Sequence, residues 1–181
     1  MKAVCVFCGS SFGRRLAYAA AARELGRVLV QRDITLVWGG GNVGLMGVVA
    51  DAVLEHGGRA IGVIPRGLEE RELSHRGATE VHVTASMHER KALMERLSDA
   101  FIALPGGFGT LDELCEILTW RQLGLHTKPI GLLDVERFFD PLVASFDHAV
   151  AEGFVREEQR SMLIRDDDAE RLLTRLASQR T

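Results

Sequence analysis

The chain has 181 residues, of which 46% are hydrophobic and 26% charged, and its formal net charge is −3. It is long enough for one domain with a sizeable core, and its composition is ordinary for a globular chain. The slight negative balance gives no general attraction to nucleic acid or to an anionic membrane. The sequence also has no apolar run of about 18 residues that would span a bilayer.

The chain enters a strand at once, over residues 3–8, with neither a signal-peptide nor a transit-peptide pattern, so a cytoplasmic location is expected. Cys5 and Cys8 spell C-x-x-C inside that strand. Positions i and i+3 of a strand point to opposite faces, so the pair reads as buried apolar residues rather than a redox or zinc motif. With Cys115 there are three cysteines, which build no disulfide framework. The six histidines are scattered and none forms H-E-x-x-H, so no metal is expected.

Residues 9–13 read as a loop and roughly 15–31 as a helix. A second strand over 34–38 is followed by Gly39-Gly40-Gly41-Asn42-Val43-Gly44 and a helix that stops near Gly57-Gly58. A third strand covers 60–64, residues 66–79 form a polar loop, 80–83 a short strand and 87–98 a helix. Residues 99–104 make a buried strand, and a helix follows whose apolar stripe is Leu111, Leu114, Cys115 and Leu118. Strand 129–133, helix 138–152, strand 161–165 and a terminal helix carrying Leu172, Leu173 and Leu176 complete the chain.

Strands alternate with helices throughout, and the strands are short and apolar on both faces. The pattern predicts an α/β fold: one domain over 1–181, with a parallel sheet flanked by helices on both faces. Ligands bind such sheets beyond the carboxyl ends of the strands. Three Gly-rich loops, 9–13, 39–47 and 106–109, leave carboxyl ends and should converge on one crevice.

Gly39-x-Gly41-x-x-Gly44 matches the dinucleotide fingerprint G-x-G-x-x-G, but it sits on the second βα unit. The acidic residue expected about 20 positions later is also missing, because the third strand ends Ile64-Pro65-Arg66. The loop then packs against a nucleotide or phosphate, or simply makes tight turns. No G-x-x-x-x-G-K-[ST] occurs, which argues against a P-loop.

Pro105-Gly106-Gly107-Phe108-Gly109-Thr110-Leu111-Asp112-Glu113 is the most informative stretch. A strand, a glycine turn and a helix start make an anion site, since the first N–H groups of a helix have no intrahelical partner. Thr110 and Glu113 also spell a capping box, T-x-x-E. A cap alone does not require three glycines in four positions, each costing backbone entropy. In helix 87–98, Arg90 falls on the same face as Leu93, Met94 and Leu97. It either lays its stem along the core with its head in water, pairs with a structural carboxylate, or aims a guanidinium at phosphate or Glu113. Phe108 and Trp120 are core or interface residues by default, with Phe108 the better candidate for stacking on a base. Glu69, Glu70 and Glu72 read as solvated loop carboxylates or as ligand contacts.

The 105–113 segment resembles the hallmark P-G-G-x-G-T-x-x-E of the LOG family, cytokinin riboside 5′-monophosphate phosphoribohydrolases once labelled lysine decarboxylases. The similarity extends over roughly residues 3–165. It takes in Val6-Phe7-Cys8-Gly9-Ser10-Ser11, Val37 through Gly47, Met87-His88-Glu89-Arg90-Lys91-Ala92, and Leu118 through Gly124 with Lys128-Pro129. The resemblance implies a Rossmann-like fold, a homodimer with sites near the interface, and hydrolysis of the N-glycosidic bond of an N6-modified AMP without a cofactor. It also implies that Arg90 and Glu113 are the catalytic pair. Glu72, Lys91, Gly107, Phe108, Gly109, Thr110 and Thr119 match ligand-contacting positions. Gly9, Ser10, Gly40 and Gly41 of the first two loops, with Gly106, Leu111 and Asp112, complete the candidate substrate-binding set.

The old label is at odds with composition. Decarboxylation of an amino acid usually needs a lysine Schiff base to pyridoxal phosphate. The chain has three lysines, Lys2, Lys91 and Lys128, of which Lys91 alone is plausibly placed. The main alternative to an enzyme is a non-catalytic carrier of a nucleotide or molybdenum cofactor on the same scaffold.

Overall fold

The computed structural model describes residues 1–68 and 74–179. The first half runs β1 (Ala3–Phe7), α1 (Leu16–Gln31), β2 (Thr35–Trp38), α2 (Gly44–Glu55), β3 (Ala60–Pro65), β4 (Glu80–Thr84) and α3 (Met87–Leu97). The second half runs β5 (Ala100–Ala103), α4 (Phe108–Gln122), β6 (Ile130–Leu133), α5 (Asp140–Ala151), α6 (Glu157–Arg160), β7 (Leu163–Asp166) and α7 (Ala169–Ser178). The strands form one seven-stranded sheet in the order β4-β3-β2-β1-β5-β6-β7, and every pairing is parallel. This is the expected α/β, Rossmann-like architecture. No helix among the described residues is long and apolar enough to cross a membrane.

Alternation along the strands divides the core into two layers. Val4, Val6 and Cys8 pack with α1, α2 and α7, through residues such as Leu25, Val49 and Leu172. Cys5 and Phe7 pack with α3, α4 and α5, through Met94, Leu114 and Val143. Cys5 and Cys8 therefore lie on opposite faces of the sheet, both buried, as their spacing requires. Burial pushes both thiols above the usual range, and the Glu113 carboxylate pushes them further. Both stay protonated and unreactive.

Several elements differ from the sequence expectation. Helix α4 starts at Phe108, with Gly107 as its N-cap and no capping side chain. Thr110 is thus already inside the helix and Glu113 lies in its second turn, so no capping box forms. The buried stripe of α4 is Thr110, Glu113, Leu114 and Ile117, and Cys115 is exposed. Reading only apolar residues rotated the helix, because its inner face carries a threonine and a carboxylate. Helix α5 begins at Asp140 rather than 138. Glu136 and Arg137 have φ of 54° and 59°, which no α-helix accepts, and they belong to a short 3-10 turn over Val135–Arg137. Helix α6 was not expected, and β7 ends one residue later than predicted.

The far edge of the sheet is fastened by Asp166. Its carboxylate accepts the Asp168 N–H at 3.1 Å, Arg171 Nε at 3.1 Å and Arg175 Nη1 at 3.1 Å, tying β7 to α7. Burial alone would raise its pKa, but these donors outweigh it and hold the group below its ordinary 3.8. A depressed carboxylate pKa contributes stability above the unfolded value, and that stability is lost as pH falls through the folded value. Asp166→Asn should therefore cost about 1 kcal/mol at pH 7, both arginines being half exposed. The difference from the native chain should start to shrink in denaturant titrations as pH falls below 3.8 and continue to shrink as pH passes through the lower folded pKa.

Candidate active site

Strand order sets the position of the site. From β1 the chain steps outward to β2, β3 and β4, then returns to the other side of β1 for β5, β6 and β7. The reversal between β1 and β5 leaves a gap beyond their carboxyl ends, where ligands bind in open α/β sheets. Three loops meet there. The Gly9 N–H donates to the Pro105 carbonyl at 3.1 Å, and the Leu45 N–H donates to the Gly9 carbonyl at 3.0 Å. Gly44, with φ of +55°, lies so close to Ser10 and Ser11 that a Cβ would overlap their backbone. The result is a crevice of about 230 Å³, lined among others by Gly9, Ser10, Phe12, Leu45, Gly106 and Gly107.

The N-terminus of α4 opens at this crevice. Nothing lies within 4 Å of where a Cβ would stand at Gly107 or Gly109, so the start of the helix is uncovered. Gly106 has the opposite environment: a Cβ there would stand 2.7 Å from the Thr110 Cβ. Its lack of a side chain lets Thr110 fold back beneath the turn. Phe108 projects outward and is 94% exposed.

Further along α4 two charged side chains meet, neither of them among the residues lining that crevice. Arg90 in the first turn of α3 is 8% exposed and Glu113 in the second turn of α4 is 9% exposed. Arg90 Nη1 is 3.3 Å from Glu113 Oε1. Arg90 Nε also donates to the Val63 carbonyl of β3 at 3.0 Å. The guanidinium is therefore fixed at two points, one at the carboxyl end of the sheet and the other on α4. Glu113 lies six positions beyond the Gly107 N-cap, about 9 Å along the axis.

Other residues singled out from the sequence are placed less directly. Lys91 Nζ is 3.0 Å from Asp112 Oδ2 and 3.0 Å from Glu116 Oε2, so Lys91 and Asp112 engage each other. Burial would lower the Lys91 pKa, but the two carboxylates more than offset it and hold the amine above its ordinary value. Leu111 packs partly buried against the core. Gly40 (φ +77°) and Gly41 are buried, the Gly40 carbonyl accepting the His75 N–H at 3.1 Å and the Gly41 carbonyl the Trp38 Nε1–H at 3.1 Å. Thr119 is not brought to the Arg90–Glu113 pair. Its hydroxyl donates to the Cys115 carbonyl at 2.7 Å, and it lines a separate groove with Leu118, Phe146 and Leu163. Glu69, Glu70 and Glu72 lie outside the described residues.

No motif in the chain points to the support behind the second loop. His75 Nε2 lies 2.8 Å from Asp51 Oδ1, and the His75 ring sits edge-on to Trp38. These residues are far apart in the chain, and no local pattern joins them. A larger cleft of about 800 Å³ lies by the ends of β6 and β7. Its arginines are all engaged: Arg15 by Glu136, Arg137 by Asp140, Arg165 by Asp134 and Asp140, and Arg171 by Asp166 and Asp167. The first crevice and the buried pair make the better candidate.

Removing one member of a buried ion pair leaves the other charge desolvated, at a typical cost of about 3–5 kcal/mol. Arg90→Ala should lower unfolding stability by that order in a urea titration. Replacing both partners, as Arg90→Met with Glu113→Leu, should restore much of it.

Residues 46–176 match the family model described as "Possible lysine decarboxylase". The cytokinin riboside 5′-monophosphate phosphoribohydrolase LOG of Oryza sativa subsp. japonica is 52% identical over 173 residues, covering 96% of this chain and 72% of that protein. A cytokinin riboside 5′-monophosphate phosphoribohydrolase of Arabidopsis thaliana is 50% identical over 175 residues, covering 97% and 82%. Among solved structures, the molybdenum cofactor binding protein from Rippkaea orientalis superposes with a TM-score of 0.74 at 20% identity, covering 100% of this chain and 99% of that one. That likeness speaks to the fold alone. Half-identity along nearly the whole chain, on a parallel sheet with the 105–113 segment at its switch point, makes this protein a member of the LOG family.

Proposed function

We infer that the protein is a hydrolase that cleaves the N-glycosidic bond of adenosine 5′-monophosphates, cytokinin nucleotides with an N6 substituent among them. The products are the free base and ribose 5-phosphate. The observation that carries this reading is the buried Arg90–Glu113 pair, set two helical turns below an uncovered glycine-rich helix start. The relatives named for this activity, half-identical over nearly the full chain, support it.

The phosphate sits at the N-terminus of α4, against the free N–H groups of the Gly107–Thr110 turn and the positive end of the helix dipole. Glu113 lies within the span of one nucleotide from that point. Cleavage develops positive charge on the ribose, as in glycoside hydrolysis. A carboxylate facing the sugar stabilises that charge and holds the ribose hydroxyls or the attacking water. The C1′–N9 bond breaks, the water oxygen bonds to C1′, and one water proton leaves with the base. Arg90, held by the Val63 carbonyl, keeps the carboxylate aimed. Phe108, exposed at the lip, is free to stack on a base.

A decarboxylase is disfavoured by Lys91. A Schiff-base lysine is activated by a lowered pKa, and this amine is held above its ordinary value by two carboxylates. The same proposal includes a homodimer with sites near its interface. The groove beside Thr119 and the exposed Leu123 and Leu125, at and just beyond the end of α4, support it. It also includes a cytoplasmic location, which suits three unpaired cysteines.

Purified protein incubated with N6-isopentenyl-AMP or AMP should release free base and ribose 5-phosphate. Glu113→Ala should lower turnover by about 10²-fold or more, the usual effect of removing one preorganised electrostatic group. Arg90→Ala should lower it comparably, and both variants should still bind AMP. Nucleotide binding with no base released by the native chain overturns the hydrolase reading in favour of a carrier.

A further inference from the structure

Gly39 directly follows β2 and opens the run that mimics a dinucleotide fingerprint. Its backbone does not require glycine. Gly40 and Gly44 have φ of +77° and +55°, whereas Gly39 lies outside the left-handed region and any residue can adopt its conformation. Space is what Gly39 supplies. A Cβ at this position would overlap Arg90 Nη2, and would stand 3.4 Å from Arg90 Cζ and 3.3 Å from Met46 Sδ. All three nearest atoms belong to side chains, two of them to one guanidinium. That guanidinium has little freedom to yield, being buried, bonded through Nε to the Val63 carbonyl and set against Glu113 through Nη1.

We propose that Gly39 is a positioning residue for Arg90: its missing side chain is the socket in which the guanidinium lies so that Nη1 meets Glu113. The first glycine of the G-x-G-x-x-G run thus serves an arginine 51 positions away, and not a phosphate. Its floor is rigid, because the next two residues are fixed through the Gly40 carbonyl to His75 and the Gly41 carbonyl to Trp38. A methyl group at 39 pushes the Arg90 tip away, and the arginine must give up either its bond to Val63 or its contact with Glu113. The catalytic consequence rests on the hydrolase reading above, whereas the socket itself does not.

Gly39→Ala, Arg90→Ala and Arg90→Lys, singly and combined, test both levels. In the Arg90 background, Gly39→Ala should lower Tm. In the Arg90→Ala background it should leave Tm unchanged or raise it, since the space is then empty and alanine restricts the unfolded chain more than glycine. For AMP hydrolysis, Gly39→Ala should reduce kcat by about 10- to 100-fold, the effect of an ångström-scale misplacement, with KM nearly unchanged. Because lysine has no Nη2, Gly39→Ala should cost little further activity in Arg90→Lys. A Tm penalty that persists in Arg90→Ala, a rise in KM with kcat retained, or a Gly39→Ala protein indistinguishable from the native chain would each overturn the socket. If the native chain releases no base, the hydrolase reading fails, and the Tm cycle still decides whether Gly39 seats Arg90.

Discussion

Arg90 and Glu113 place opposite charges in an interior where neither is stable alone. Desolvating a guanidinium or a carboxylate costs several kcal/mol, and mutual attraction offsets this only when the geometry is held. The surrounding structure can be read as the means of holding it. Helix α3 brings Arg90 inward on the face it shares with Met94, and α4 turns Glu113 inward beside Leu114. The Val63 carbonyl at the end of β3 takes the remaining Nε donor. The pair therefore joins two helices and the carboxyl end of the sheet, and a shift in any of the three would expose or strand a charge.

The parallel sheet makes that arrangement possible. With both faces covered by helices, the loops at one edge of every strand fall together, and the reversal between β1 and β5 leaves room between them. Glycines then do three different jobs in a small volume. At 40 and 44 they permit left-handed backbone, at 107 and 109 they leave the start of α4 open, and at 39 and 106 they leave room for Arg90 and Thr110. An uncovered helix start and a buried charged pair thus lie on the same helix, about 9 Å apart along its axis.

Structures of molybdenum cofactor proteins share this scaffold at 20% identity. The glycine-rich helix start by itself suits any anionic ligand, so the scaffold does not separate a carrier from an enzyme. The relatives half-identical to this chain over nearly its whole length do, since they are named as phosphoribohydrolases. The amine of Lys91, turned to Asp112 and Glu116, adds to the case against the older decarboxylase description.

Much of this was legible in the chain itself. Periodicity gave all seven strands and the long helices, because short apolar runs between helical stripes leave a parallel sheet as the economical way to bury both faces. The spacing of Cys5 and Cys8 was enough to separate them across the sheet, and the position of Arg90 among Leu93, Met94 and Leu97 was enough to turn it inward. Local pattern failed where polar residues face the core. The stripe of α4 was misplaced because Thr110 and Glu113 count as polar in any hydropathy reading, and the start of α5 was missed because Glu136 and Arg137 adopt a conformation their residue types rarely take. Only the tertiary structure decided what Gly39 is for, which carbonyl holds Arg90, and that Lys91 turns to Asp112 and Glu116. Each depends on atoms from separate elements meeting at the end of the sheet, and contacts between residues 21 to 51 positions apart leave no periodic trace in the chain.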